Sequence, residues 1–384
     1  MPISPSLLLV AASLILLPDC VSAANCPCGY KLNSPSSGSI RFTEALETDF
    51  SHIIDASKLD LWLPQEYTQD LQAANGPFGR IFDVQNVAAN PLQNTNSWSG
   101  PGVHGGDAGL QLWVNKTLTS GDNNSQAVHC SEIVLQRGDI LYGSFRISMK
   151  TTSVNGTCGA FFFYRDDTSE IDMEFLSKQQ LPQNNSVNLV IQSPDSGGLG
   201  YTAPGSPNFA HVSLATDPSE AYVEYRFDWL PGRVDFFADN TLIKSMTENI
   251  PSGPGRLHIS HWSNGNPGWS AGSPQNDAVL TVSYVKAYFN SSDPGIPQAA
   301  LKSCPVDPAS MVAAVLACDI PDGKKEGGGG GGGGGGPGPT TFLTNDTDGQ
   351  THSSLAVTQR VVVSAPLGAI YAVAMMGMVF VWFY

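Results

Sequence analysis

The stretch Ser169-Glu170-Ile171-Asp172-Met173-Glu174-Phe175 alternates carboxyl and apolar side chains without a break from Glu170 onward. Period-two alternation marks a strand with one buried face. Glu170, Asp172 and Glu174 then share one face, and Ile171, Met173 and Phe175 enter a core. Three neighbouring acids repel one another, so at least one pKa is expected to rise. That arrangement is useful where an acid and a base must differ. Acids on a strand are most often a solvated face. Two features favour a site here: the aromatic run Gly159-Ala160-Phe161-Phe162-Phe163-Tyr164 just upstream, and a position in the middle of a β-rich region.

Working outward, short alternating runs recur at 110–114, 131–135, 142–150, 187–192, 221–229, 233–240 and 278–288. Turn residues such as Pro231-Gly232 and Asp239-Asn240 separate them. Many strands at short spacing, with no long helical pattern, indicate an all-β sandwich or barrel. Residues 25–292 are read as one such domain. Residues 293–325 form a Cys-bracketed extension, in which Asp307-Pro308 reads as the start of a short helix, Asp as N-cap and Pro in the first turn. Residues 326–360 are a tether and polar spacer, opening on the glycine run 327–336, a composition that forms flexible linkers.

The ends speak of the route the chain takes. Residues 1–24 carry the apolar run 7–17 followed by Val21-Ser22-Ala23-Ala24, the pattern of a secretory signal. Residues 361–384 are almost wholly apolar. Small residues, a polar spacer and such an end form a GPI-attachment signal, with a transmembrane anchor as the alternative. Both place the folded part outside the cell, at the cell surface or wall. Outside the signal lie Cys26, Cys28, Cys130, Cys158, Cys304 and Cys318, an even set suited to disulfides. Cys26 and Cys28 are expected to reach Cys304 or Cys318, and Cys130 to pair with Cys158. Sequons stand at Asn115, Asn123, Asn155, Asn184, Asn290 and Asn345.

The net charge of −15 argues against nucleic acid as a partner and suits a neutral polymer. Two carboxyls suffice to break a glycosidic bond, one as nucleophile or base and one as acid. Sugars also need flat apolar platforms, and Trp98, Trp113, Phe161, Phe163, Trp262 and Trp269 are candidates. Trp262 and Trp269 stand out in the loop-like segment 260–270. Gln192, Asn188, Tyr225, Arg226, His261 and Asn264 are candidate partners for hydroxyls. No metal ligand set or cofactor motif is read, and a structural Ca²⁺ is left open.

The run Glu170-Ile171-Asp172-Met173-Glu174-Phe175-Leu176 resembles the motif of glycoside hydrolase family 16, with Ser177 where a Gly is common. Tyr142-Gly143-Ser144-Phe145, Met149-Lys150, Asp217-Pro218, Trp229-Leu230-Pro231, the 234–239 run, Trp262 and Trp269 agree, so the likeness covers about 42–288. The resemblance implies a concanavalin A-like jelly roll: two antiparallel sheets with a concave substrate cleft. It implies a retaining endo-acting glycosidase on cell-wall β-glucan, with Glu170 as nucleophile, Asp172 assisting and Glu174 as acid/base. A glucan or chitin transglycosylase and a catalytically silent glycan-binding protein are the alternatives. The Cys26-Pro27-Cys28-Gly29-Tyr30 start, tether and anchor signal resemble an ascomycete surface protein, expected as a monomer that meets the membrane only through its lipid.

Overall fold

The computed structural model describes residues 26–34, 38–120, 125–180, 185–194, 205–321, 342–343 and 352–353. The expected signal 1–24, nearly all of 326–360, the hydrophobic end 361–384 and the sequons at Asn123, Asn184 and Asn345 lie outside the described residues.

The domain is a β-sandwich jelly roll of two large sheets. The front sheet is built from β1 (Tyr67–Gln69), β2 (Gly79–Phe82), β3 (Gln126–Leu135), β4 (Cys158–Asp166), β5 (Ser169–Leu176), β6 (Ser186–Gln192), β7 (Phe209–Ser213) and β8 (Arg256–Trp262). Its order is β7-β6-β5-β4-β8-β3-β2-β1. Pairing is antiparallel save that β2 runs parallel to β3, one departure from the expected all-antiparallel sheet. The back sheet carries Thr241–Met246, Arg233–Ala238, Val223–Leu230, Ile140–Lys150, Ala278–Ser291, Gly109–Val114 and Val87–Asn90 in that order. The expected turn at Asp239-Asn240 is a two-residue hairpin with φ of 45° and 61°, the left-handed pair that matches strand twist and suits Asp and Asn.

The core lies between the sheets, and aromatic side chains bridge it. Phe161 sits 5.2 Å from Phe227, Phe163 4.2 Å from Trp229 and Phe175 4.5 Å from Tyr225, ring to ring. The first of each pair comes from the front sheet and the second from the back. All six are buried. Contacts of this kind contribute about 0.5–1.5 kcal/mol each beyond the apolar area they bury.

Two disulfides, Cys26–Cys318 and Cys28–Cys304, fasten the extension to the N-terminus, as expected. There Tyr30–Ser34 pairs with Gly38–Phe42 and with Cys318–Asp319. Ile320 packs with Tyr30, Leu32 and Tyr288. The short helix of the extension starts a turn later than the sequence suggests. It runs Met311–Leu316, and Ser310 is the N-cap, its hydroxyl accepting from Ala313 N. Asp307 instead caps a turn by accepting from Ala309 N at 2.9 Å.

The expected Cys130–Cys158 bridge is absent: both are buried free thiols. The sheet explains why. Cys158 on β4 lies opposite Trp262 on β8. Cys130 on β3 is one step beyond the Ser131–His261 pair, so it meets the same Trp262 from the other side. Two strand spacings, roughly 9.5 Å, separate the thiols' backbones, beyond the ~7 Å a disulfide spans.

Candidate active site

Strand β5 follows its alternation. Ile171, Met173 and Phe175 are in the core, and Glu170, Asp172 and Glu174 face an open cleft. The cleft is lined also by Phe162, Gln192, Trp262 and Trp269. Glu170 is opposite Tyr164 and Gln192, Asp172 opposite Phe162, and Glu174 opposite Ala160 and Asn188. Four residues of strand hold the Glu170 and Glu174 backbones ~13 Å apart, with Asp172 between them.

Burial raises the pKa of all three acids. Glu170 is pushed up to about 8, chiefly by loss of water and further by the charge of Glu174, while a hydrogen bond with Asp172 opposes the rise. Asp172 rises well above the usual carboxylate range, through burial and then the charges of Glu170 and Glu174. The hydrogen bond between the two lowers Glu170 and raises Asp172, so it favours the proton on Asp172. Glu174 rises by burial, opposed by hydrogen bonds from Trp269 and Cys158 and by the positive charge of Arg80. Three mutually interacting acids exchange protons as one unit.

The wall opposite is a long loop turned back on itself. Asn264 donates to Ala74 O at 2.8 Å and Asn75 O at 3.2 Å, lacing the β8 end to the segment before β2. A side chain at Gly76 would strike Asn264 O at 2.3 Å, so this close approach needs glycine. The turn Asn266–Ser270 then delivers Trp269, whose indole donates to Glu174 Oε1 at 3.2 Å.

Of the expected platforms and hydroxyl partners, the cleft holds Gln192, Trp262, Trp269 and Asn264. Gln192 Oε1 is buried and accepts no hydrogen bond from the described residues, leaving it free for a hydroxyl donor. The remaining candidates do not line it. Phe161 and Phe163 point into the core; Phe162, one step out of phase, faces the cleft. Tyr225 and Arg226 belong to the back sheet, Tyr225 in the core and Arg226 with its guanidinium 3.6 Å from the Phe237 ring centre. His261 is on the core face of β8, bonded through Nδ1 to Leu112 O at 2.9 Å; burial lowers its pKa to about 4. Trp98 packs on His52, 4.0 Å ring to ring, and does not line the cleft.

Residues not anticipated from sequence include Tyr67, Arg80, Phe82 and Glu132. Glu132 accepts from Tyr67 Oη at 3.1 Å and bonds His258 Nδ1 at 3.0 Å. The Arg80 guanidinium lies over Trp262, 4.6 Å from the ring centre, an attractive placement for a cation. An acid inside the apolar run 131–135 was the one local signal for Glu132. Arg80 and Tyr67 offered none, since β2 reaches β3 only through long-range pairing and β1 lies beyond β2.

A model of "Glycosyl hydrolases family 16" matches residues 92–285, half of the chain. The chain belongs to glycosyl hydrolase family 16. A β-glucanase of Paenibacillus macerans is 31% identical over 126 residues, 32% of this chain and 48% of that protein. A β-glucanase of Paenibacillus polymyxa is 30% identical over 209 residues, 52% of this family 16 chain and 75% of its relative. The match thus spans about half of one relative's length and three quarters of the other's. Among solved structures, a Bacillus licheniformis β-glucanase has 22% identity and a TM-score of 0.46, covering 64% of this chain and 97% of that one.

Proposed function

We propose that this family 16 protein is a retaining, endo-acting glycosidase that cleaves cell-wall β-glucan by double displacement. The observation that carries the reading is the acid trio on one strand face, at the floor of a cleft bordered by Trp262 and Trp269. Similarity to bacterial β-glucanases supports the choice of substrate class.

In the first step the ionised form of Glu170, the form that the hydrogen bond from Asp172 favours, attacks the anomeric carbon, and the bond to the leaving oxygen breaks as Glu174 gives that oxygen its proton. A glycosyl ester on Glu170 results. In the second step Glu174, now a carboxylate, takes a proton from an incoming hydroxyl, which attacks the same carbon and frees Glu170. Water as the incoming group gives hydrolysis; an acceptor sugar gives transglycosylation. Asp172, protonated and bonded to Glu170, stabilises the nucleophile as an anion and offers it a hydrogen bond as its charge changes. The indole faces and Gln192 supply the platform and hydroxyl contacts that a neutral sugar requires. The signal-like start and anchor-like end support a place outside the cell, at the wall, held by a GPI lipid.

Glu170→Gln should lower turnover on β-glucan by more than about 10³-fold, as loss of a nucleophile does elsewhere, with the fold intact. Glu174→Gln should lose about 10²–10⁴-fold, much less on aryl glycosides whose leaving group needs no proton. Chromatography of products from β-1,3, β-1,4 and mixed-linked oligosaccharides reads out both linkage and fate of the intermediate. Products longer than the starting oligosaccharide would assign transfer; binding with no products at all would reject the enzyme reading.

A further inference from the structure

Glu174 Oε1 accepts two hydrogen bonds, from the Trp269 indole at 3.2 Å and from Cys158 Sγ at 3.4 Å. An indole N–H only donates, so Oε1 is an acceptor and cannot itself hold a proton toward Trp269. Among the described residues no donor reaches Oε2. The proton of a neutral Glu174 therefore sits on Oε2.

We propose that Cys158 is a positioning residue for the acid/base carboxyl: with Trp269 it locks Oε1 as acceptor and leaves Oε2 to exchange a proton with the glycosidic oxygen. This rests on the reading of Glu174 given above and adds a member that the acid motif does not contain.

The sheet places the thiol for this work. Cys158 is opposite Leu176 and Ala160 opposite Glu174, so Cys158 and Glu174 are diagonal neighbours on one face, within side-chain reach. The start of β4 is held still by Ser177, whose hydroxyl accepts from Thr157 N at 2.9 Å and donates to Thr157 O at 3.1 Å. Cys158 is fully buried. Burial and the nearby Glu174 charge keep its pKa well above the usual thiol range, so it remains an S–H donor at any working pH. The other free thiol, Cys130, instead contacts the Val128 and Ser263 carbonyls.

The test compares Cys158→Val, which keeps bulk without a donor, with Cys158→Ser, which keeps a donor. Cys158→Val should lower kcat about tenfold, the scale of a hydrogen bond to a charged group, with KM changed less than about twofold. Removing a donor to the carboxylate raises the Glu174 pKa, so the alkaline limb of kcat/KM should move to higher pH by roughly half a unit to one unit. Cys158→Ser should recover most of the rate and the wild-type limb. Carboxyl NMR titration of Glu174 in Cys158→Ala gives the same shift without reliance on activity, should the valine variant fold poorly. A valine variant with the wild-type kcat and pH profile would overturn the proposal. So would serine and valine variants equally impaired with equal loss of Tm, since packing would then explain both. Full turnover in Glu174→Gln would instead remove the assignment of Glu174 itself, and the proposal with it.

Discussion

Three carboxyls buried side by side are a liability to the fold and an asset to the chemistry. Glu170 has its pKa raised to about 8 by burial, from 4.5 in the unfolded chain. The folded state thus binds its proton more tightly than the unfolded state does. The stability this represents is fully present below about pH 4.5 and is lost as pH rises through about 8. We predict that Glu170→Gln, which removes the titration, raises Tm at pH 8 and much less at pH 4. The gain at pH 8 should be on the order of 1–3 kcal/mol, because the charge is shared with Asp172 and Glu174. Calorimetry at the two pH values decides it, and an equal gain at both would show that no buried proton is involved. The face of this trio was legible because its carboxyls alternate with apolar side chains. The hydrogen bonds that tune it were not, since Cys158 and Trp269 reach Glu174 from 16 and 95 residues away.

Strand β4 shows where reading by element stops. Its run Ala160-Phe161-Phe162-Phe163 has no polar residue to mark which parity faces out, so nothing in it separates the expected platforms Phe161 and Phe163 from Phe162. Register settles the matter: Phe162 is opposite Asp172, so the even positions of β4 share the cleft with the acids. The same gap explains Tyr225 and Arg226, because a strand pattern reveals a buried face but not which of two sheets holds it. It explains His261 too. The segment from 260 has the composition of a loop, yet β8 runs on to Trp262 and alternates His258, Ser260 and Trp262 toward the cleft. Two substitutions separate the faces. Phe161→Ala should destabilise by about 3–5 kcal/mol, the usual result of emptying a buried aromatic site, and leave KM near wild type in whatever fraction folds. Phe162→Ala should lose less stability and raise KM several-fold, because its ring lines the cleft. Urea titration alongside steady-state kinetics tests both, and matching profiles for the two variants would contradict the register.

At the scale of the whole molecule, the two disulfides tie residues near the start of the domain to the Cys-bracketed extension. They close loops with sequence separations of 292 and 276 residues. A link of that span removes much of the freedom of the unfolded chain, roughly 5–6 kcal/mol in the loop-entropy account. The two bridges are not independent, however. With Cys26–Cys318 in place, Cys28–Cys304 closes only a small ring through 26–28 and 304–318, for which roughly 3 kcal/mol is expected. The converse holds if Cys28–Cys304 is kept. Removing either bridge by paired serine substitution should therefore lower stability by about 3 kcal/mol, and removing both by about 8, more than the sum of the single losses. Packing of Ile320 on Tyr30, Leu32 and Tyr288 would hold the strap loosely in the doubly substituted protein. The cleft lies on the other sheet, so kcat at low temperature should survive all three changes while the denaturation midpoint falls. A double loss equal to the sum of the single ones would mean that the bridges act through local contacts rather than through the closure of the whole chain.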